Sequence, residues 1–325
     1  MSDNVRVVGI EAVRAAARLC EAVRVGMVRG EMAEKLDKAD RSPVTVADFG
    51  AQALVCRRIW ESFPEDAIVA EEDSAVLRRP ESAGQLAEVT RYVCEQVGET
   101  PSETVCEWID RGNSLPEGRY WVLDPIDGTK GFLRDDQYAI ALALIEEGAI
   151  QWGFLGCPKL PHDRHLGVLF VAQRGEGTVA YLLEGEPLGA VRVSELRDPS
   201  QVCLAESVES GHTNRSLSVQ LKEMLDIRTE SLRMDSQAKY AAVARGEAEI
   251  YLRAPNPRTP DYRENIWDHA AGWLVVKEAG GEVSDVYGRP LDWSRGRRLE
   301  ENLGVVATNG RVHEAVIEAL ATLLQ

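Results

Sequence analysis

Four apolar segments in the middle of the chain occur as two pairs, and a short glycine-containing turn separates the members of each pair. The first pair is Tyr138–Ile145 and Ile150–Leu155, and the second is Leu166–Ala172 and Thr178–Leu183. Two apolar runs joined by such a turn are typical of a β-hairpin. The pattern therefore predicts a mostly antiparallel sheet in this part of the chain.

Amphipathic helices are predicted before the hairpins. Residues 8–28 and 48–62 repeat their apolar side chains at helical spacing. Two shorter helices and two strands are predicted in the same part of the chain, over residues 86–97, 102–109, 67–69 and 120–123. The first part of the chain is therefore predicted to be α+β, with helices packed on the sheet.

From about residue 200, predicted strands and helices alternate, which is typical of an α/β unit. The strands are predicted over residues 202–205, 228–233 and 249–252, and the helices over 214–225, 237–245, 267–279 and 311–324. Glycines and prolines collect between residues 185 and 199. We therefore predict two domains, an α+β domain over 1–190 and an α/β domain over 191–325.

The charge balance excludes several classes of partner. The 325 residues carry a formal net charge of −16, which opposes binding to nucleic acid or to an anionic membrane surface. The longest uncharged run, Gly148–Pro158, is far shorter than the roughly 18 residues that span a bilayer. No signal peptide is visible, and the six scattered cysteines form no CxxC pair, so we expect reduced, mostly buried thiols in a cytoplasmic protein.

Carboxylates stand at the ends of predicted elements. Glu71 and Asp124 each follow a strand, Asp127 comes three residues later, and Asp268 begins a helix. Oxygen ligands without a cysteine or histidine pair suit Mg²⁺ better than Zn²⁺. Asp127 is followed by Gly128 and Thr129, whose backbone N–H groups and hydroxyl would suit an anion. Carboxylates beside such donors are what metal-assisted phosphoryl chemistry requires.

Spacing alone leaves other interpretations open. An aspartate at a helix start, such as Asp268, is usually an N-cap. The run Glu71–Asp73 is also typical of a solvated turn, and the segment 124–129 of an Asx turn. His162 and His165 form an HxxH pair without further zinc ligands, so we assign them to a loop.

Four motifs in combination resemble the lithium-sensitive, magnesium-dependent inositol monophosphatase superfamily. They are SPVTVAD at 42–48, EED at 71–73, WVLDPIDGTKGFLR at 121–134 and IWDHAAG at 266–272. Within it, the chain is most similar to the 3′(2′),5′-bisphosphate nucleotidases, through VESGH at 208–212, MDSQAKY at 234–240 and IYLR followed by ENIWDHAAG. The resemblance extends from about residue 8 to residue 320.

The resemblance implies a fold and a metal site. The fold is a layered αβαβα sandwich, of the α/β class, with Mg²⁺ as cofactor, two or three ions per site. The metal ligands would be Glu71, Asp124, the carbonyl of Ile126, Asp127 and Asp268. Asp48 and Thr129 resemble the pair that takes a proton from the attacking water, and Gly128 and Thr129 would hold the scissile phosphate through backbone N–H groups.

The resemblance also implies a nucleotide site. His212, Ser236, Lys239 and Arg253 match positions that hold adenosine bisphosphate. Lys239 and Arg253 suit the phosphate that is not cleaved, because both are cations. Without the resemblance, Lys239 would be interpreted as a solvated helix residue and His212 as a surface or capping residue. We interpret His269 as a packing or hydrogen-bonding residue.

The implied activity is Mg²⁺-dependent hydrolysis of the 3′-phosphate of adenosine 3′,5′-bisphosphate, with the sulfated analogue and the 2′,5′ isomer as further substrates. Alternatives are an inositol mono- or polyphosphate phosphatase and a non-catalytic nucleotide sensor on the same fold. The partner would be a small nucleotide, with no nucleic acid and no membrane. Ala70, where the family more often has glycine, and the proline-rich segment 254–262 depart from the family pattern.

Overall fold

The computed structural model describes residues 2–29, 36–37, 43–208, 215–256 and 258–324. The α-helices are α1 (Ser2–Val28), α2 (Val46–Ser62), α3 (Ala83–Val97), α4 (Ser102–Asp110), α5 (Thr129–Leu133), α6 (Arg215–Met224), α7 (Ala238–Ala244), α8 (Ala270–Glu278) and α9 (His313–Leu323). None of the described helices is long and apolar enough to cross a membrane.

The strands form a two-stranded, a seven-stranded and a five-stranded sheet among the described residues. Their bounds are β1 (Leu36–Asp37), β2 (Pro43–Val44), β3 (Ala67–Ala70), β4 (Arg119–Asp127), β5 (Ala139–Glu146), β6 (Ala149–His162), β7 (His165–Gln173), β8 (Gly177–Leu182), β9 (Pro187–Val191), β10 (Leu204–Glu206), β11 (Leu232–Arg233), β12 (Ile250–Arg253), β13 (Glu282–Ser284) and β14 (Val305–Thr308).

The seven-stranded sheet runs in the order β3-β4-β5-β6-β7-β8-β9. Only β3 and β4 are parallel, and every later pair is antiparallel. The five-stranded sheet has the order β11-β10-β12-β14-β13 and mixes parallel and antiparallel pairs. The predicted hairpins are therefore confirmed, and the later part of the chain is the mixed α/β unit that its alternating pattern indicates.

Side-chain alternation along the strands builds the layers, because successive strand residues point to opposite faces of a sheet. In β4, Trp121 and Leu123 join the apolar cluster beneath α1 and α2, whereas Tyr120 and Val122 join the cluster beneath α7 and α8. The second of these clusters also contains the inner face of the five-stranded sheet. Helices α6 and α9 cover the outer face of that sheet. The order of layers is αβαβα, as predicted.

Helix α8 packs against helix α7 at very short range, and a glycine of α8 permits it. A Cβ on Gly272 would lie 2.2 Å from the Tyr240 ring, which is far inside van der Waals contact. Gly272→Ala should therefore lower the free energy of unfolding by about 1–3 kcal/mol through overpacking. Urea denaturation measures this. Gly84→Ala is the matched helical control, since its added Cβ meets nothing within 4 Å. Equal stability of wild type and Gly272→Ala would refute the packing argument.

Some predicted bounds were wrong. Strand β4 extends to Asp127, although Pro125 has no N–H for the ladder, and the register with β5 shifts between Asp124 and Asp127. His162 and His165 are not loop residues but pair across the tight turn between β6 and β7. Only Leu232 and Arg233 of the predicted strand 228–233 form a ladder.

The division of the chain into two domains at residue 190 stays a prediction. The seven-stranded sheet ends at Val191 and the five-stranded sheet begins at Leu204. However, α7 and α8 of the second segment pack on the first sheet, and one apolar cluster contains residues of both segments.

All six cysteines are free thiols, four of them buried.

Candidate active site

A cleft of about 230 Å³ brings together most of the predicted site residues. Ten of them line it: Glu71, Asp124, Ile126, Asp127, Gly128, Thr129, Ser236, Lys239, Arg253 and Asp268. Asp48 is within hydrogen-bonding range of Thr129, behind the cleft wall. His212 lies outside the described residues. Segments up to nearly 200 residues apart in sequence therefore meet in one place.

Topology explains how the predicted metal ligands meet. Parallel pairing places Ala70 opposite Leu123, so Glu71, which follows β3, lies beside Asp124 within β4. Asp127 follows the irregularity in β4. Asp268 ends a 3₁₀ turn, Ile266–Asp268, immediately before α8, so it is not the N-cap of that helix.

The electrostatics of these carboxylates favour a bound cation. Burial raises the pKa of Asp268 well above its usual range, and the charges of Asp127 and Glu71 raise it further. Burial also raises the pKa of Asp127, although the charge of Lys239 opposes this. Acidic groups that repel one another in a partly desolvated cleft need a compensating positive charge. Because every donor in the set is an oxygen, the residues present fit Mg²⁺.

The Asp48 carboxylate is oriented by the start of α2. Its Oδ2 accepts hydrogen bonds from the Thr45 backbone N–H at 2.8 Å and from the Thr45 hydroxyl at 2.6 Å. The Thr45 hydroxyl in turn accepts from the Asp48 N–H, which completes a capping box. The other carboxylate oxygen, Oδ1, lies 3.5 Å from the Thr129 hydroxyl. Capping thus fixes one carboxylate oxygen, and the other lies near the hydroxyl of Thr129, which lines the cleft.

The loop after Asp127 turns sharply to face the segment that carries Ser236. Gly128 has a φ of +84°, a left-handed value that glycine adopts without strain. A Cβ there would lie 2.9 Å from the Ser236 Cβ, and one on Gly131 would lie 2.1 Å from the Gln137 carbonyl oxygen. Gly128 is therefore required for the approach to Ser236, and Gly131 for the approach to the Gln137 backbone.

Gln237, to which no role was assigned from the sequence, bonds to one predicted metal ligand and to the residue that precedes another. Its backbone N–H donates to Asp127 Oδ2 at 2.5 Å. Its side-chain Nε2 donates to the carbonyl of Trp267, the residue before Asp268, at 2.9 Å, and its Oε1 accepts from the Gly272 N–H. The position of Gln237 between two matched motif residues, Ser236 and Lys239, was the available signal.

The two predicted phosphate-binding cations are both in the cleft. Lys239 is only 3% exposed, and its Nζ lies 3.4 Å from the Met234 carbonyl and 5.2 Å from the Tyr251 ring centre. Burial lowers the pKa of Lys239 to about 8, although the negative charge of Asp127 acts in the opposite direction. Arg253 is paired with Glu264, a residue of the ENIWDHAAG motif that was not among the predicted site residues.

Glu264 also belongs to a group that could itself hold an ion. Among the described residues, ligand atoms of Glu264, Asp268 and His269 all lie within 4.8 Å of one another. Burial tends to raise the pKa of Glu264, but the charge of Arg253 and the contact with His269 lower it to about 2. Because Arg253 already balances its charge, we expect Glu264 not to act as a metal ligand.

The two departures from the family pattern have different structural settings. Ala70 is fully buried, its N–H donates to the Gly112 carbonyl at 2.8 Å, and its own carbonyl accepts from Arg297. Its methyl group faces Gly112, where a Cβ would lie only 2.6 Å away, so the glycine accommodates the alanine. Tyr262, at the end of the proline-rich segment, is 40% exposed and lines the cleft.

Comparison with known proteins identifies the family and agrees with the fold. The model of the inositol monophosphatase family matches residues 2–325. A 3′(2′),5′-bisphosphate nucleotidase from Emericella nidulans is 42% identical over 323 residues, which cover 89% of this chain and 91% of the relative. One from Schizosaccharomyces pombe is 41% identical over 340 residues, which cover 99% and 96%.

A solved structure shares the fold at much lower identity. The extragenic suppressor protein suhB from Bartonella henselae superposes with a TM-score of 0.65 and 21% identity, over 97% of this chain and 98% of that one. The match of the family model over nearly the whole chain, together with relatives above 40% identity, establishes the relationship. The chain belongs to the inositol monophosphatase family.

Proposed function

We propose that this chain is a Mg²⁺-dependent phosphatase that hydrolyses the 3′-phosphate of adenosine 3′,5′-bisphosphate to give AMP and phosphate. The observation that carries the proposal is that one cleft contains both a set of carboxylates suited to metal ions and two cations, Lys239 and Arg253. A bisphosphate needs both features, since one phosphate reacts and the other is only bound. The bisphosphate nucleotidases from two fungi, at 41–42% identity, support the nucleotide as substrate.

The residues have separate tasks in this mechanism. Glu71, Asp124, Asp127, Asp268 and the Ile126 carbonyl would hold two or three Mg²⁺ ions, which neutralise the phosphate and lower the pKa of bound water. Thr129 and Asp48 accept the proton of the attacking water, since Asp48 Oδ1 lies 3.5 Å from the Thr129 hydroxyl. The backbone N–H groups of Gly128 and Thr129 hold the scissile phosphate.

The partner and location are also proposals. A net charge of −16 supports a small nucleotide rather than nucleic acid, because nucleic-acid binding requires a basic surface. Six free thiols without a disulfide among the described residues support a reducing, cytoplasmic location. His212 and Ser236 are proposed to contact the nucleoside.

The experiment is phosphate release from a substrate panel with Mg²⁺ and with EDTA. The panel contains adenosine 3′,5′-bisphosphate, its 2′,5′ isomer, its sulfated analogue, inositol 1-phosphate, inositol 1,4-bisphosphate and fructose 1,6-bisphosphate. We expect the adenosine bisphosphate to exceed inositol 1-phosphate by at least about 100-fold in kcat/KM, and EDTA to abolish release. Preference for an inositol phosphate would move the chain to that activity, and no release from any substrate would favour a nucleotide sensor.

Lys239→Ala should reduce kcat/KM for adenosine 3′,5′-bisphosphate by about 10- to 100-fold, because a charge-assisted contact to phosphate contributes roughly 1.5–3 kcal/mol. Slow hydrolysis of inositol 1-phosphate should change little, since that substrate lacks a second phosphate. Steady-state kinetics on both substrates measure this. Lys277→Ala, which removes a lysine paired with Glu282 outside the cleft, is the control. Equal losses on both substrates would show that Lys239 supports the metals or the fold.

A further inference from the structure

Arg253 forms an ion pair with a carboxylate that does not line the cleft. Its Nε lies 3.1 Å and 3.2 Å from the two oxygens of Glu264. Glu264 is only 7% exposed and is absent from the cleft wall, whereas Arg253 is part of it. The guanidinium group is planar and its five N–H donors have a fixed geometry. A partner on Nε therefore restricts the plane of the group and the direction of its terminal nitrogens.

Glu264 is itself fixed by buried neighbours. Its Oε2 lies 3.3 Å from His269 Nε2, and His269 Nδ1 lies 2.7 Å from the Tyr240 hydroxyl. The backbone carbonyl of Glu264 accepts from the Leu299 N–H at 2.9 Å. His269 and Tyr240 are almost completely buried. The carboxylate is thus part of a chain of polar side chains, Tyr240–His269–Glu264–Arg253, inside the protein.

This chain joins the two cations of the cleft. Tyr240 follows Lys239 directly in α7, and Arg253 ends β12. The Tyr240 and Tyr251 rings, one on each element, meet edge to face with centres 4.9 Å apart. The positions of Lys239 and Arg253 are consequently set by the same packed layer.

We propose that Glu264 is a positioning residue for the phosphate that is not cleaved: it orients Arg253 so that the terminal guanidinium nitrogens face that phosphate. The inference rests on the proposed function and adds a specificity determinant to it. Glu264 also gives the partly buried guanidinium a partner other than Asp268, a proposed metal ligand. Its loss should therefore weaken recognition of the second phosphate and leave the chemistry at the first phosphate in place.

Two substrates that differ only in the second phosphate test this role. Kinetics of Glu264→Ala and Glu264→Gln would be measured at saturating Mg²⁺ with adenosine 3′,5′-bisphosphate and with adenosine 3′-monophosphate. For Glu264→Ala we expect KM for the bisphosphate to rise by about 10-fold or more, with kcat within about 3-fold of wild type. For the monophosphate, kcat/KM should stay within about 3-fold of wild type. Glu264→Gln keeps the shape and one acceptor, so its rise in KM should be smaller but measurable.

A double variant separates positioning from a general structural effect. If Glu264 acts through Arg253, adding Glu264→Ala to Arg253→Ala should cause no further loss on the bisphosphate. Glu249→Gln is the matched control, because Glu249 is another buried glutamate, which accepts from the Cys203 N–H at 2.7 Å outside the cleft. That variant should show wild-type kinetics on both substrates.

Several results would overturn the inference. They are equal losses on the two substrates, additive losses in the double variant, and a lower KM for the bisphosphate in Glu264→Gln than in the wild type. The last result would mean that the charge of Glu264 only offsets the charge of Arg253 and weakens its contact with the phosphate. If the wild type released phosphate from neither nucleotide, the proposed function would fall together with this inference. Release from both nucleotides with unchanged variants would refute the inference alone.

Discussion

Asp127→Asn should lower turnover of adenosine 3′,5′-bisphosphate by at least about 10³-fold, which corresponds to roughly 4 kcal/mol in the transition state. The asparagine keeps an oxygen for the Gln237 N–H, so the local backbone should be preserved. What it loses is the negative charge that helps to hold the metal ions. Steady-state kinetics at saturating Mg²⁺ measure the effect.

The stability of this variant provides an independent control. Asp127 and Asp268 repel each other in the cleft. After burial, the charge of Asp127 is the largest cause of the raised pKa of Asp268. Removing one charge should therefore leave Tm in EDTA equal to that of wild type or higher. Asp292→Asn, which alters a turn-forming carboxylate outside the cleft, should retain activity. Turnover close to that of wild type in Asp127→Asn would refute its assignment as a metal ligand.

Asp48→Ala should lower kcat by about 10²-fold or more with little change in KM, as expected when a proton acceptor is removed. This substitution also breaks the capping box with Thr45, which should reduce stability by about 1 kcal/mol. Kinetics on adenosine 3′,5′-bisphosphate and thermal denaturation of the same samples measure the two effects separately.

Asp48→Asn distinguishes these two roles. An asparagine oxygen can still accept from the Thr45 N–H, now 2.8 Å from Asp48 Oδ2, so the helix start should persist. The amide cannot accept the proton, and kcat should fall nearly as far as in Asp48→Ala. A normal kcat with raised KM in either variant would make Asp48 a binding or structural residue.

Local patterns were sufficient to predict the hairpins and the alternation of strands and helices after residue 200, because strand alternation and helical spacing are short-range signals. The αβαβα order of layers and the set of metal carboxylates were predicted from the resemblance to the family, since spacing alone left other interpretations open. The neighbouring positions of Glu71 and Asp124 followed from the motifs, and the parallel pairing of β3 with β4 explains them.

The partners of the site residues could not be predicted in the same way. The bonds from Gln237 to Asp127 and to the Trp267 carbonyl join positions 110 and 30 residues apart, and such contacts depend on how the layers dock. The pairing of Arg253 with Glu264 spans the proline-rich segment, which has no periodic pattern. The bounds of the strand predicted over residues 228–233 were wrong. In this segment, the Lys222 ammonium group donates to the Thr229 carbonyl and to the Ser231 hydroxyl.

The place of α8 has a consequence for how the protein is made. While the ribosome is still synthesising the chain, the seven-stranded sheet is complete once residue 191 has emerged, but α8, which covers more of one of its faces than α7 does, begins at residue 270. The nascent chain therefore exposes apolar side chains such as Tyr120 and Val122 for the time needed to add roughly 80 residues, several seconds at typical rates. Asp268 emerges just ahead of that helix, so the arrival of the last carboxylate and the covering of the sheet are nearly simultaneous, and a chaperone that binds apolar strands would compete with α8 until then.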